Sequence, residues 1–439
     1  MTANRLGASA SDALSGTIEV PGDKSMSHRA LILGALASGT TVIHGLLEGE
    51  DVLATARAVE ALGANVERLG AGEWRVTGGE WSSPTEPLDC GNSGTGARLL
   101  MGAVAGFPIS VTFTGDASLS GRPMGRVLEP LREMGACVEA ADGDRMPITI
   151  RGGDLNGLRF INHKASAQVK SAILFAGLHA TGEVEVVEPA RSRDHSENML
   201  RAFGVEIAGG ERVRLGTKRT LTATEVSVPG DPSSAAFPLV AALIVPGSSV
   251  TVTSVMTNRL RTGLFTTLIE MGADLVVTNE RDCGGETVAD VTARFGALKG
   301  VTVPADRAPS MIDEYPILAI AAAFAEGRSV MHGLAELRVK ESDRLAAIIA
   351  GLIECGVKAR ADGDSLIVEG LAAPGGDVGA SLPRGGAVID ARHDHRIAMS
   401  FLTLGLASAE QVIVTGATTI ATSFPNYAVL MQGLGGQIG

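Results

Sequence analysis

Aromatic residues are scarce in this 439-residue chain, which contains 11 Phe, 2 Tyr and 2 Trp. Few rings are therefore available for bases to stack on, and the net charge of −12 repels a phosphate backbone. Both features argue against a nucleic-acid partner. A site for anionic ligands in such an acidic chain requires a local concentration of basic groups.

The chain also has few cysteines and no long apolar run. Cys90, Cys137, Cys283 and Cys355 are isolated, without the spacing of a disulfide framework or a zinc site. Apolar runs stop well short of the roughly 20 residues that span a bilayer, and the N-terminal segment lacks the apolar core of a secretory signal. We therefore expect a cytoplasmic globular protein with packed cores and no membrane segment.

Glycine, by contrast, is abundant, with 56 residues, and six glycines share one local pattern. Each follows a segment with apolar residues at helical spacing and precedes a short strand-like run, which predicts a helix C-cap. The six positions are Gly63, Gly135, Gly204, Gly272, Gly356 and Gly435.

A second pattern lies upstream of each glycine: a polar start, an Ala/Leu-rich segment, a short turn and an alternating strand. These segments begin near Lys24, Asn92, Ser166, Asp231, Ser310 and Asp394. They are apolar nearly all round, which predicts helices buried inside a domain. The sequence thus predicts an α/β fold of six repeats, each with two helices and several strands.

A single repeat is too small to bury its own faces, so we expect the repeats to associate as three plus three. The similar segments Glu19–Asp23 and Ser227–Asp231 begin the first and fourth repeats and are the natural domain crossings. We predict an N-terminal domain over residues 21–227 and a C-terminal domain formed by residues 1–20 with 228–439.

Polar residues at the starts of buried helices present free backbone N–H groups and the positive end of the helix dipole, a combination that attracts anions. Basic residues are concentrated around these starts: Lys24, Arg29, Arg98, Arg122, Lys164, Lys170, Arg193, Lys340, Arg344 and Arg396. Together they predict a site for a substrate with several anionic groups.

Each element also has a simpler interpretation. Ser25, Ser93, Ser166 and the pair Asp313-Glu314 are compatible with helix caps, and Gly94 with a tight turn. The charges of Arg338–Arg344 are compatible with a solvated helix face. His393 and His395 have no third ligand at helical spacing, so we predict no metal site.

Several longer motifs resemble the 3-phosphoshikimate 1-carboxyvinyltransferase (EPSP synthase) family over about Ile18 to Tyr427. They are Lys24–Arg29, Gly91–Thr95, Arg122–Met124, Ser166–Gln168, Pro229–Ser234, Ile312–Glu314, Arg338–Arg344 and Asp394–Met399. The resemblance implies an inside-out α/β barrel of six βαβαββ units in two pseudo-threefold domains that close over substrate. It also implies transfer of the enolpyruvyl group of phosphoenolpyruvate to the 5-hydroxyl of shikimate 3-phosphate, without a cofactor.

The resemblance further implies roles for individual residues. Shikimate 3-phosphate would contact Lys24, Ser25, Arg29, Ser166, Ala167, Gln168, Arg193, Asp313 and Lys340. Phosphoenolpyruvate would contact Lys24, Gly94, Arg122, Gln168, Arg344 and Arg396, with Asn92 in the same GNxGT stretch. Asp313, Glu341 and Lys24 would be catalytic: Asp313 accepts the hydroxyl proton, Glu341 exchanges a proton with the methylene carbon, and Lys24 stabilises the departing phosphate.

Three positions depart from the better-known branch: Ala167, Leu99, and Thr422 where a Lys is common. They suggest the branch called class II, in which tolerance of the inhibitor glyphosate is associated with Ala at the position of Gly94. We predict that glyphosate binds this chain. Nothing in the sequence demands an oligomer, so a monomer is expected.

Two alternatives stay open at this point. A UDP-N-acetylglucosamine enolpyruvyl transferase shares the fold and the donor, but that family has a Lys-Asn pair and a reactive loop Cys, whereas this chain has Lys24-Ser25 and no Cys in Gly115–Arg122. A non-catalytic scaffold that binds a phosphorylated ligand would not need the carboxylates Asp313 and Glu341.

Overall fold

The computed structural model describes residues 4–373 and 382–439, which form two compact units. The N-terminal unit consists of residues 22–228 together with 283–286, and the C-terminal unit contains the other described residues. The chain enters the N-terminal unit at Gly22 and leaves it after Val228, within the two similar crossing segments. The short segment 283–286 was not anticipated from the sequence, because its assignment depends on contacts remote in the chain.

The described helices are mostly of eight to thirteen residues. They are α1 (Lys24–Leu36), α2 (Glu50–Leu62), α3 (Gly94–Ala105), α4 (Ala117–Ser120), α5 (Gly125–Met134), α6 (Ala167–Gly177), α7 (His195–Ala202), α8 (Pro232–Ile244), α9 (Gly263–Glu270), α10 (Tyr315–Ala323), α11 (Arg344–Glu354), α12 (His395–Gly405) and α13 (Tyr427–Gly433). Three 3₁₀ segments cover Ala305–Ser310, Ala335–Val339 and Ala417–Thr422. Among the residues described, no helix is long and apolar enough to cross a membrane.

The N-terminal unit contains three four-stranded sheets. The first sheet has the order β14 (Glu225–Ser227), β3 (Thr40–His44), β5 (Glu73–Thr77) and β4 (Asn65–Gly70). The second has the order β6 (Leu88–Asp89), β7 (Ser110–Thr114), β9 (Arg145–Arg151) and β8 (Cys137–Ala141). The third has the order β10 (Asn156–Ile161), β11 (Thr181–Val187), β13 (Arg212–Leu215) and β12 (Ile207–Ala208).

The C-terminal unit repeats this arrangement. Its first sheet has the order β2 (Ser15–Glu19), β15 (Ser249–Met256), β17 (Glu286–Arg294) and β16 (Asp274–Cys283). Its second has the order β18 (Thr302–Val303), β19 (Arg328–Met331), β21 (Ser365–Glu369) and β20 (Lys358–Asp362). Its third has the order β22 (Val388–Asp390), β23 (Val412–Thr415), β1 (Arg5–Ser9) and β24 (Gln437–Ile438).

All six sheets begin with a parallel pair, such as β6 with β7, and continue with an antiparallel strand, such as β9. A parallel pair requires a crossover, and a buried helix supplies it in four of these sheets: α3, α6, α10 and α12 each connect the two parallel strands. The first sheet of each unit takes its outer strand from a distant segment, since β14 pairs with β3 and β2 pairs with β15. The prediction of six βαβαββ units is confirmed.

The six predicted cap glycines all adopt positive φ angles, from 85° at Gly356 to 122° at Gly63. This left-handed region is accessible to glycine without a side-chain clash, so each glycine ends a helix and turns the chain into the next strand. The local pattern read from the sequence therefore marks the same point in every repeat.

The helix that opens each repeat is buried, as predicted. All thirteen residues of α8 are buried, and so are all nine of α10. In the C-terminal unit α8, α10 and α12 contact one another, and their apolar faces form the core beneath the sheets. In the fifth repeat the polar segment that begins near Ser310 precedes α10, which begins at Tyr315.

Candidate functional site

The start of α1 brings Lys24 and Ser25 to the same end of the N-terminal unit. Asp23 caps the helix, its Oδ1 accepting from Met26 N at 2.8 Å, so the interpretation of Ser25 as the cap is wrong. Lys24 Nζ forms an ion pair with the buried carboxylate of Asp51. The lysine side chain is 14 % exposed, which leaves it accessible to an anion.

Arg29 lies one turn further along α1 and is 2 % exposed. Its Nε donates to Ser196 Oγ and its Nη2 to Ser171 Oγ, both at 2.8 Å, while its Nη1 donates to the carbonyl of Ser25 at 2.8 Å. Hydroxyls of α6 and α7 thus orient this guanidinium. Neither hydroxyl was singled out from the sequence.

At the start of α3, Ser93 caps the helix, its Oγ accepting from Gly96 N at 3.0 Å. Asn92 accepts a hydrogen bond from Arg122 Nη2 and donates to Asp116 Oδ2 at 2.7 Å. A Cβ on Gly94 would lie 3.0 Å from Nη1 of Arg122. A side chain at this position would therefore crowd the guanidinium of Arg122.

Arg98 and Gln168 join the starts of α3 and α6. Arg98 Nη1 donates to Gln168 Oε1 at 2.9 Å, and Gln168 Nε2 donates to Thr95 Oγ1 at 2.8 Å. The Cβ position of Gly94 is also 3.0 Å from Arg98 Nη1. Arg98 was counted among the basic residues but not among the site residues, and only the packing of the two helices shows its place.

Ser166 caps α6, with its Oγ accepting from Val169 N at 3.4 Å, and Ala167 is the first helical residue. Ser93 and Ser166 are therefore helix caps, as the simpler interpretation predicts. A capping residue at a helix N-terminus also lies next to any anion that binds there. Arg193 is partly exposed on the segment before α7.

The candidate residues of the C-terminal unit gather on Arg344, whose side chain is 1 % exposed. Its Nη1 lies 3.1 Å from Asp313 Oδ1, its Nη2 2.5 Å from Glu341 Oε2, and its Nε 2.7 Å from Asp394 Oδ2. One guanidinium thus binds three carboxylates from three separate segments. Of these, Asp394 was missed as a site residue, although it belongs to the Asp-His-Arg motif.

Burial alone would lower the pKa of Arg344, but the carboxylates of Asp394, Glu341 and Asp313 raise it above its ordinary value. The guanidinium remains a permanent cation in this site. Lys340 Nζ also pairs with Asp313 Oδ1, at 3.2 Å. Asp313 therefore lies between two cations, while 15 % of its side chain stays exposed.

Arg396, the second residue of α12, also belongs to this cluster. Its Nη1 donates to the Asp313 carbonyl at 3.1 Å and lies 3.4 Å from Glu314 Oε1. The N-cap of α12 is Asp394, whose Oδ1 accepts from Arg396 N at 3.0 Å. Asp394 thus orients both Arg344 and the backbone of Arg396.

Two simpler interpretations fail in this unit. The segment Arg338–Arg344 is not a solvated helix face, because α11 begins only at Arg344 and that side chain is buried. Neither Asp313 nor Glu314 caps α10 through its side chain. Thr422, where a lysine is common, is 8 % exposed and donates to Thr419 O at 2.8 Å.

Two histidines of the N-terminal unit are wholly buried. Burial lowers the pKa of His28 well below its usual 6.5, and the charges of Lys24 and Arg29 lower it further. His195 Nδ1 lies 2.9 Å from Glu286 Oε1, and Asp194 lies near both. Glu286 Oε1 accepts hydrogen bonds from His195 and from Asn198 Nδ2, both on α7. These two bonds hold α7 to the Glu286 side chain.

Comparisons with known proteins agree with one another. The family model described as EPSP synthase (3-phosphoshikimate 1-carboxyvinyltransferase) matches residues 8–431. The chain is 57 % identical to a 3-phosphoshikimate 1-carboxyvinyltransferase of Caulobacter vibrioides over 96 % of each chain, and 56 % identical to that of Phenylobacterium zucineum over 100 % of this chain and 96 % of the relative.

Solved structures give the same result. The EPSP synthase of Acinetobacter baumannii superposes with a TM-score of 0.87, at 44 % identity and with 99 % of each chain covered. The enolpyruvyl transferase NikO of Streptomyces tendae superposes with a TM-score of 0.79 at 18 % identity, with 99 % of this chain and 98 % of that chain covered. At this low identity the similarity supports the fold alone.

Proposed function

The chain belongs to the EPSP synthase family, the 3-phosphoshikimate 1-carboxyvinyltransferases. We propose that the cluster at the starts of α1, α3 and α6 in the N-terminal unit and the cluster around Arg344 in the C-terminal unit act on one pair of substrates. The family reaction transfers the enolpyruvyl group of phosphoenolpyruvate to the 5-hydroxyl of shikimate 3-phosphate and releases phosphate. Both substrates carry several negative charges, and both clusters are built on guanidinium and ammonium groups.

Shikimate 3-phosphate is assigned mainly to the N-terminal unit. Arg29, oriented by Ser171 and Ser196, binds the carboxylate through the N–H bonds of a planar fork. Ser166, Ala167 and Gln168, at the start of α6, bind the phosphate, where backbone N–H groups favour an anion. Arg193 and Ser25 complete this set, with Lys340 and Asp313 from the C-terminal unit.

Phosphoenolpyruvate is assigned to arginines of both units. Arg344 and Arg396 bind its carboxylate, and Arg122 with Lys24 binds its phosphate. Asn92 and Gln168 support this set, since Asn92 orients Arg122 and Gln168 orients Arg98. Gly94 leaves room for phosphoenolpyruvate beside the guanidinium groups of Arg122 and Arg98.

Asp313 and Glu341 carry the proton transfers. As the Asp313 carboxylate takes the proton of the 5-hydroxyl, the hydroxyl oxygen attacks C2 of phosphoenolpyruvate, and Glu341 in its acid form gives its proton to C3, leaving a Glu341 carboxylate and a tetrahedral adduct. Glu341 then removes a proton from that methyl carbon, the C–O bond to phosphate breaks, and the enolpyruvyl double bond forms. Lys24 neutralises the charge of the departing phosphate.

The observation that carries this proposal is the binding of Asp313 and Glu341 by the single buried guanidinium of Arg344. Two carboxylates held on one rigid cation suit two proton transfers at neighbouring atoms of one substrate pair. A scaffold that only binds phosphorylated ligands has no need of such an arrangement.

The test is release of inorganic phosphate from phosphoenolpyruvate. We expect release that depends on shikimate 3-phosphate, does not occur with UDP-N-acetylglucosamine, and collapses in Asp313→Ala. Release with the sugar nucleotide instead would favour the alternative transferase. Binding of shikimate 3-phosphate without release would favour the non-catalytic scaffold.

The proposal extends to glyphosate as an inhibitor that occupies the phosphoenolpyruvate set, to a cytoplasmic location and to a monomeric state. Support for inhibition comes from Gly94, which adds no side chain beside Arg122 and Arg98. Competition of glyphosate with phosphoenolpyruvate, cell fractionation and light scattering test the three points separately.

A further inference from the structure

A buried ionic network lies behind the segments that contain Ser166 and Arg193. Its centre is Glu188, which is 1 % exposed and follows β11. Lys170 of α6, also 1 % exposed, places its Nζ 2.8 Å from Glu188 Oε2 and 2.7 Å from Glu197 Oε1 of α7. None of these three charged residues belongs to the site assigned above.

Four hydrogen-bond donors converge on the Glu188 carboxylate. Oε1 accepts from Asn162 Nδ2 at 2.9 Å and from Ser192 Oγ at 2.6 Å. Oε2 accepts from Lys170 Nζ at 2.8 Å and from the backbone N–H of Ser192 at 3.2 Å. A carboxylate can accept all four bonds, whereas an amide of the same shape has one acceptor oxygen and turns an NH₂ group toward donors.

Two of these donors lead directly to proposed substrate contacts. The Asn162 side chain also holds the backbone of Ser166, donating to its carbonyl at 3.1 Å and accepting from its N–H at 3.3 Å. Ser192 immediately precedes Arg193. The same carboxylate therefore fixes both the segment of Asn162 and Ser166 and the segment of Ser192 and Arg193.

The third branch reaches Arg29. Lys170 binds Glu197 in the first turn of α7, and the preceding residue, Ser196, accepts from Arg29 Nε. Burial raises the pKa of Glu197, partly offset by the charge of Lys170. The lysine thus joins the segment of Ser166 to the turn that orients Arg29.

We propose that Glu188, together with Lys170, is the positioning element for shikimate 3-phosphate: one buried pair sets the relative places of Ser166, Arg193 and Arg29. This inference rests on the proposed function, because those three residues are assigned to that substrate. Glu188 itself is buried and acts through Asn162 and Ser192, so it is a positioning residue and not a catalytic one.

The experiment compares Glu188→Gln with the wild-type enzyme in steady-state kinetics with each substrate varied in turn. We expect the KM for shikimate 3-phosphate to rise about tenfold, since a small misplacement of binding groups has effects of this size or larger. The KM for phosphoenolpyruvate and kcat should stay within about twofold, because the hydrogen bonds and ion pairs of the network lead to Ser166, Arg193 and Arg29, which are assigned to shikimate 3-phosphate.

Three further variants separate positioning from a general loss of stability. Glu188→Asp keeps two acceptor oxygens and should recover part of the affinity for shikimate 3-phosphate. Val213→Ala, a buried change in β13 of the same sheet, should lower the melting temperature without moving either KM. If Glu188→Gln does not fold, Ser192→Ala removes one donor and should raise the KM for shikimate 3-phosphate by roughly threefold.

The outcomes are distinct. Unchanged KM for shikimate 3-phosphate in a folded Glu188→Gln, or an equal rise for both substrates, would overturn the inference. Calorimetric titration with shikimate 3-phosphate should show the same weakening in the absence of turnover. If the wild-type enzyme neither binds nor turns over shikimate 3-phosphate, the proposed function fails before the positioning role is reached.

Discussion

The two units differ in what holds their arginines. In the N-terminal unit, Arg29 donates to serine hydroxyls, and Arg122 and Arg98 donate to side-chain amides. In the C-terminal unit, Arg344 binds three carboxylates at 2.5 to 3.1 Å. The two units share their sheet order, so the difference lies in the side chains placed at the helix starts.

The contrast has a chemical meaning. Hydroxyl and amide partners orient a guanidinium without cancelling its charge, which suits the binding of carboxylate and phosphate groups. In the proposed reaction, the carboxylates gathered on Arg344 carry the proton transfers. On that proposal, the N-terminal unit mainly binds substrate, whereas the C-terminal unit also supplies the acid and base groups.

The largest effect should come from removing a carboxylate of the C-terminal unit. Asp313→Asn keeps the shape of the side chain but loses the proton acceptor, so kcat should fall by about 10² to 10⁴. Phosphate release measures it, and titration with shikimate 3-phosphate checks that binding persists. A kcat within threefold of wild type would break the division between the units.

The next effect concerns stability. Arg344→Met leaves three carboxylates without their shared cation, which should lower the free energy of unfolding by about 3 to 5 kcal/mol. Its matched control is Arg338→Met, six residues earlier, where exposed pairs at 3.7 and 3.5 Å contribute about 0 to 1 kcal/mol. Denaturant titration compares them; equal losses would contradict the special place of Arg344.

Gly94→Ala sharpens the description of the N-terminal unit. The added Cβ would lie 3.0 Å from Nη1 of both Arg122 and Arg98, so both guanidinium groups must shift. Displacing two guanidinium groups that are assigned to the phosphoenolpyruvate site should weaken glyphosate inhibition by roughly tenfold, about 1.4 kcal/mol. Inhibition assays with phosphoenolpyruvate varied provide the measurement, and identical inhibition of the two proteins would refute binding of glyphosate beside Gly94.

The smallest effect is a pH dependence of stability. Because the pKa of folded His28 lies well below 6.5, the unfolded chain takes up an additional proton as the pH falls through about 6.5. The unfolding free energy should therefore decrease from pH 7 towards pH 5, by at most about 1.4 kcal/mol per pH unit from this group.

Melting temperatures of His28→Gln across this range test that slope, which should be shallower than in the wild type. His179→Gln is a second test: burial also lowers the pKa of His179, but less than that of His28, so this variant should flatten the slope by a smaller amount. A slope that is unchanged in His28→Gln would show that the pKa of His28 is the same in the folded and unfolded chains, which contradicts the prediction.

Much of the fold was predictable because its signals are local. The six glycines mark helix ends by a backbone conformation that other residues avoid, and the apolar helices follow from composition within one window. The pairing of β2 with β15 agrees with the prediction that residues 1–20 belong to the C-terminal domain. The pairing of β14 with β3 was not anticipated, because these strands are far apart in the chain.

The candidate site was predictable only in part. Lys24, Arg29, Asp313 and Arg344 stand in motifs that the family resemblance identifies, and their residue types suit anionic substrates. Asp394 as a partner of Arg344 was not foreseen, since a pair fifty residues apart depends on how α11 and α12 pack. Ser25 was wrongly considered as a cap for a local reason: Asp23, two residues earlier, occupies the N-cap position of α1.

The sequence by itself determined the six repeats, the buried helices and the anionic character of the ligand, because periodicity, glycine conformation and charge are properties of short segments. Tertiary structure alone decided which charges meet. Glu188 and Lys170 are ordinary residues in the sequence, and they become a network only when β11, α6 and α7 pack together. Removal from water then makes each of their hydrogen bonds costly to lose.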